Sequence, residues 1–329
     1  MRYFRILALV GISACLMACQ QPAEKPNSVV PHPEVTRQRA IARATDFLLH
    51  ARQGDRWISA EEWPESGNQF GGETGLALYA LLKTGQITND PRLKPDSPEL
   101  GASVAWEVHA RTTSVYATAL KVLVLCNVTM TPDRANVLSR STGDLIRAMG
   151  PDGGYSYTLE RKKDQVSDSS NSDYALMAVL AASAHDVQVP DAYWANTIKF
   201  WRTRQSADGG WGYALPDLHP QSDPAMTAGA VADMFVLATN KLDSAKSTVA
   251  GVGYLDQNHA PSNDYYYLFN LRRAGAYMHK GAEIADAVEK ELLNSQFYDG
   301  TWRTDRDSFW GKPDKTMSTA YALLALTYK

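Results

Sequence analysis

Five acidic residues stand at or just before the start of an apolar, mostly Ala-rich segment. Glu73 precedes Thr74, Asp168 lies four before Ser172, Asp223 four before Thr227, and Asp314 four before Ser318, while Asp264 opens the run DYYYLFNLRRAGAYM. If these segments pack side by side as helices, the carboxyl groups collect around one opening. Neighbouring carboxylates repel each other, so such a mouth suits acid/base chemistry with one proton retained, or a divalent cation. Asp168, Asp223 and Asp264, in consecutive segments, form the candidate catalytic group. Glu73 and Asp314 are candidate ligand contacts, joined by Tyr265, Tyr266 and Tyr267. A plainer reading competes: acids before a helix accept its free N–H groups and complement its dipole.

Other chemistries lack their residues. The seven His form no H-x-x-x-H or H-E-x-x-H spacing, so a zinc site is not supported. No G-x-G-x-x-G, Walker-type loop or G-x-S-x-G elbow occurs, and no cofactor is evident beyond a divalent cation at the carboxylate mouth. A formal charge of −3 provides no basic field for a phosphate backbone, which excludes nucleic acid as a partner. Cys126, inside the apolar stretch Leu120 to Val128, is expected to be a buried small hydrophobe.

The elements that must position the acids emerge from a repeat. Gln205-Ser-Ala-Asp208-Gly209-Gly-Trp211 and Gln296-Phe-Tyr-Asp299-Gly300-Thr-Trp302 share the pattern Q-x-x-D-G-x-W. A third copy ends at Tyr155 and a degenerate one at Trp57; two more units have lost the marker, near Trp106 and Gln257. Each full copy follows a helix-like run, so Asp-Gly supplies a turn past a helix end and the Trp folds back. Apolar helices are expected from Thr74, Thr113, Ser172, Thr227, Asp264 and Thr319, each start residue serving as a cap. They are apolar on nearly all sides, as buried helices are. Residues 38 to 329 divide into six units of about 49 residues, room for two helices and two loops each. The expected fold is all-α, an (α/α)6 toroid of one domain; a straight solenoid is the rival, without evident polar caps at its ends.

These repeat segments and Thr-Ala helix starts resemble the terpenoid cyclase and protein prenyltransferase α/α-toroid superfamily, with its prenyltransferase/squalene oxidase repeat. The resemblance covers the whole body and implies the toroid. Within it, the chain looks most like squalene-cyclase-like bacterial proteins. The repeat motifs are structural in that family, and the same role is implied for Gln205, Trp211, Gln296 and Trp302. Its squalene-hopene cyclases donate a proton from the central Asp of D-x-D-D-T-A; here the stretch is Asp223-Pro-Ala225-Met-Thr227-Ala, with Ala225 at the donor position. Its prenyltransferases hold zinc with D-x-C and D-x-Y-H-T; here Ala225 and Tyr267 replace the Cys and His. Neither standard mechanism is retained.

The amino terminus carries Arg2, Arg5 and an apolar run from Ile6 to Ala18, too short for a mature span and suited to an export signal. Leu16-Met17-Ala18-Cys19 resembles the bacterial lipobox, which implies lipidation of Cys19. Residues 20–37, with Pro22, Pro26, Pro31 and Pro33, are expected to form an extended tether. Gln20 and Gln21 stand where an inner-membrane retention Asp would be, which favours the periplasmic face of the outer membrane. The leading expectation is an envelope lipoprotein binding an apolar or isoprenoid-like ligand. The alternatives are a non-catalytic envelope binding or scaffold protein, and a glycan-acting toroid of the polysaccharide-lyase kind with Arg111 or Arg272 as base.

Overall fold

Six apolar helices stand side by side around a ring and six more amphipathic or polar ones surround them, in a computed structural model that describes residues 36–58, 70–160, 166–214, 221–239, 245–258, 262–304 and 314–328. The inner helices are α2 (Gly72–Thr88), α4 (Val115–Leu125), α6 (Ser169–Ser183), α8 (Pro224–Thr239), α10 (Tyr265–Gly275) and α12 (Lys315–Thr327). The outer ones are α1 (Arg37–Ala51), α3 (Gly101–His109), α5 (Pro132–Ala148), α7 (Asp191–Arg204), α9 (Ala245–Asn258) and α11 (Gly281–Ser295). Each inner helix packs on the next, and α12 packs on both α2 and α1, closing the ring. The fold is the expected α/α toroid, not a solenoid. Cys19 and residues 20–35 of the tether lie outside the described residues.

The D-G-x-W turns explain how pairs are joined. Trp57, Trp211 and Trp302 are buried and donate their indole N–H to Leu48, Trp201 and Leu292 carbonyls near the end of the preceding outer helix, at 2.6–2.9 Å. Burying one such ring contributes roughly 4–6 kcal/mol of transfer free energy. The backbone N–H groups of Trp57, Tyr155, Trp211 and Trp302 donate to the hydroxyls of Thr74, Ser172, Thr227 and Thr319 at 2.9–3.2 Å. The Ser/Thr residues expected as helix caps therefore do another job: they sit in the first turns and hold the preceding loop. The caps are Ser114, Asp168, Asp264 and Asp314, with Asp223 acting likewise.

The motif glutamines reach onward to the next outer helix. Gln205 Nε2 donates to Gly209 and to Ser247 carbonyls, both at 2.8 Å. Gln296 Nε2 donates to Gly300 at 3.1 Å and to Ala40 of α1 at 2.9 Å. Gly300 has φ +84°, and a Cβ there would lie 2.5 Å from the Arg43 carbonyl oxygen. Only glycine lets the last unit rest on the backbone of the first.

Candidate ligand-binding site

A cavity of about 240 Å³ opens at the amino-terminal end of the inner ring. Its walls are six tyrosine rings: Tyr116, Tyr174, Tyr266 and Tyr321 from four inner helices, and Tyr157 and Tyr213 from the segments after two D-G turns. Met226 of α8 and Met317 of α12 complete the apolar lining, and Ser170 and Asn171 of α6 add polar atoms. The rings order one another. Tyr116 meets Tyr174 edge-on at 4.8 Å, Tyr174 stacks on Tyr266 at 6.1 Å, and Tyr266 meets Tyr321 at 5.5 Å. The hydroxyls of Tyr174 and Tyr321 are hydrogen-bonded, Tyr116 and Tyr321 hydroxyls lie 3.4 Å apart, and those of Tyr157 and Tyr213 pair across the rim.

Beneath the rings lies a buried charged group. Tyr266 donates its hydroxyl to Asp173 Oδ2 at 2.9 Å. Arg273 of α10 donates to Asp173 of α6 at 2.6 Å, to Asn270 at 2.7 Å and to Asp233 of α8 at 2.9 Å. All three ionisable side chains are nearly inaccessible, Asp173 at 1%, Asp233 at 2% and Arg273 at 6%. Burial, then the neighbouring Asp173, pushes the Asp233 carboxyl well above its usual range. Against the cost of burial, Asp173 and Asp233 together hold Arg273 charged. Arg273 thus has two buried acidic partners, Asp173 and Asp233, and buried charge is tolerated when it is paired and hydrogen-bonded.

The five acids expected at the mouth do lie at inner-helix starts, and four spend oxygens on caps. Asp168 is buried and accepts from Asn171 N–H, Asn171 Nδ2 and Ser170 Oγ at 2.8–2.9 Å, directly behind the pocket wall. Burial raises its pKa despite these bonds. Asp223, exposed, accepts from Ala225 and Met226 at 2.8 and 3.1 Å. Asp264 caps Tyr267 at 3.0 Å, and Asp314 caps Thr316 and Met317 at 2.8 and 3.0 Å. Glu73 is in the first turn of α2. Among the described residues, no three His, Cys, Asp or Glu side chains gather closely enough to hold a metal ion.

Of the tyrosine triplet, only Tyr266 faces the pocket. Three consecutive helical residues point about 100° apart, and Tyr265 instead donates to the Arg303 carbonyl at 3.1 Å while Tyr267 is buried elsewhere. Arg272 caps the far end of α12 through the Ala325 and Tyr328 carbonyls at 3.2 and 2.8 Å. Cys126 is only partly buried; burial pushes its thiol up to about 12, which leaves it unreactive.

Sequence reasoning missed a further buried acid. Glu107 of α3 is 0% exposed and neither carboxyl oxygen has a hydrogen-bond partner. It lies against the first turn of α2, where a Cβ on Gly75 would be 3.3 Å from Glu107 Oε1. Burial pushes it up to about 8, against the pull of Lys121. Lys121, lowered by the same burial, donates to the Ala110 carbonyl.

No family model matches the chain, and no curated protein matches it. Solved structures do. A variant of the type II terpene cyclase MstE from Scytonema, in complex with its substrate geranylgeranyl dihydroxybenzoate, superposes with a TM-score of 0.58 at 14% identity, over 89% of this chain and 97% of that one. An unsaturated glucuronyl hydrolase specific for heparin gives 0.66 at 10% identity, over 89% and 96%. A possible member of the GH105 family from Salmonella enterica gives 0.60 at 14%, over 91% and 95%. These likenesses establish a shared toroid; at such identities the fold alone is shared.

Proposed function

We propose that this toroid is an envelope lipoprotein that binds a small apolar, isoprenoid-like ligand in its tyrosine-lined pocket, without the proton-donating acid of the type II cyclases. The observation that carries the reading is the cavity itself: about 240 Å³ at the inner-helix amino termini, walled by aromatic rings and two flexible methionines. Such a lining favours apolar matter, with the tyrosine hydroxyls as the polar groups that fix its orientation. At the position of the family's proton donor, Ala225 presents a methyl group and is buried, which supports binding over cyclisation. The terpene cyclase of the same fold holds a substrate with a geranylgeranyl chain, an analogy in the same direction. The glycan reading gains less support, because Trp57, Trp201, Trp211 and Trp302 are spent on internal packing.

The membrane part rests on the sequence: Leu16-Met17-Ala18-Cys19 after a short apolar run. Mass spectrometry of organic extracts from the purified protein tests the pocket. The wild type should carry an apolar ligand, and Met226→Trp, which fills the cavity, should lose it. No ligand in the wild type, or the same ligand in both, would overturn the proposal.

A further inference from the structure

The hydrogen-bonding capacity left over at the pocket's inner wall specifies the polar end of its ligand. Tyr116, Tyr321 and Tyr174 form a chain of three hydroxyls joined by two contacts. Each hydroxyl has one proton to give, so three protons serve two contacts and one O–H remains for a partner. Tyr266 is in the opposite state: its proton is committed to Asp173 Oδ2, which leaves its oxygen as an acceptor. Tyr266 stands 5.5 Å from Tyr321 and 6.1 Å from Tyr174, ring centre to ring centre. All four tyrosines line the same cavity of about 240 Å³, so one donor and one acceptor belong to one small pocket.

We infer that the ligand presents an uncharged alcohol there, its hydroxyl donating to Tyr266 Oη and accepting from the Tyr116–Tyr321–Tyr174 chain. The inference rests on the pocket being the binding site of an apolar ligand, as proposed above. A hydroxyl is the smallest group that gives and takes a hydrogen bond at once; an ether or ketone only accepts. A phosphate or carboxylate head is disfavoured by the surroundings. Glu73 and Asp314 act on Tyr116, Asp264 on Tyr321, and Asp173 on Tyr174 and Tyr266, each carboxylate adding to the effect of burial in resisting further negative charge. The matching ligand class is a short isoprenoid alcohol with its chain toward the methionines and the open end.

Isothermal titration with three ten-carbon probes tests this: geraniol, geranyl methyl ether and geranyl diphosphate. Geraniol should bind best, with the ether weaker by about tenfold, the worth of one hydrogen bond, and the diphosphate weaker still. Tyr266→Phe should bring geraniol down to the level of the ether while leaving ether affinity unchanged. Because that variant strips a partner from buried Asp173, Tyr321→Phe serves as a second one that leaves Asp173 untouched. It frees the Tyr116 and Tyr174 hydroxyls as donors and keeps Tyr266 as acceptor, so geraniol should still bind about tenfold better than the ether, and loss of that margin would overturn the alcohol assignment. Thermal unfolding confirms that each variant is folded. Equal binding of all three probes, or tighter binding of the diphosphate, overturns the alcohol assignment and leaves the apolar pocket standing. Failure of all three to bind the wild type overturns both.

Discussion

Replacing Gly300 by Ala, with Gly54→Ala as its partner, isolates the contact that closes the ring. Both glycines have a left-handed backbone, φ +84° and +65°, so either alanine costs ~1 kcal/mol in backbone conformation. Their surroundings differ. A Cβ at Gly54 meets nothing within 4 Å, whereas one at Gly300 would lie 2.5 Å from the Arg43 oxygen and 2.8 Å from its carbonyl carbon. Those atoms belong to helix α1 and cannot rotate aside, so the outer helix must retreat. Retreat lengthens the bond from Gln296 Nε2 to the Ala40 carbonyl, now 2.9 Å, and that from Arg43 to the Phe297 carbonyl, now 2.8 Å. Overpacking costs typically 1–3 kcal/mol and each lost hydrogen bond about 1 kcal/mol. Gly300→Ala is therefore expected to destabilise by about 3–5 kcal/mol against ~1 kcal/mol for Gly54→Ala. Urea unfolding followed by circular dichroism gives both values. If the two variants differ by less than about 1 kcal/mol, the D-G turn is not what holds the last unit on the first, and the steric argument fails.

Two more outcomes follow from the buried ionisable groups. Glu107 holds its proton up to about 8 when folded against 4.5 unfolded, so its contribution is full below pH 4.5 and is lost as pH rises toward 8. The fall is at most ~1.4 kcal/mol per pH unit. Glu107→Gln should flatten that part of the stability profile measured by urea titration; an unchanged slope would refute the assignment. Arg273→Met removes the guanidinium partner of buried Asp173 and Asp233, at a cost of about 3–5 kcal/mol. Adding Asp173→Asn to Arg273→Met should recover much of that loss, and a double variant as unstable as Arg273→Met alone would count against the ion-pair account.

The toroid was legible because its turns are chemically costly to change. Asp-Gly followed by an aromatic needs a left-handed glycine, a carboxylate to bind the turn and a ring to fill the space behind it, and Gly153, Gly209 and Gly300 keep φ between +84° and +89°. The helix starts were legible to within a few residues, but their hydroxyls were given the wrong duty. Thr227 and Thr319 look like caps in sequence, and only the fold shows a loop backbone arriving to use them. The pocket was mostly hidden, since Tyr116, Tyr174, Tyr213 and Tyr321 come from distant parts of the chain and only the ring brings them together. A signal did exist for the interior: Asp173, Asp233 and Lys121 are lone charges in helices otherwise apolar on nearly every side, and Arg273 is a buried charge beside Arg272 in α10. A charge on such a helix needs a buried partner, and asking for those partners would have found the group beneath the tyrosines.

The capping of α12 at its far end bears on how the protein faces its surroundings. Arg37, the first residue of α1, donates to the Leu326 carbonyl at the carboxyl end of α12, at 2.9 Å through Nε, whereas the pocket uses Met317 and Tyr321 nearer that helix's other end. The polypeptide therefore enters the ring on the side opposite the cavity. With Cys19 seated in a bilayer as proposed, the lipid would lie on the side of the ring away from the cavity. A ligand would then be exchanged with the aqueous space and not directly with the bilayer.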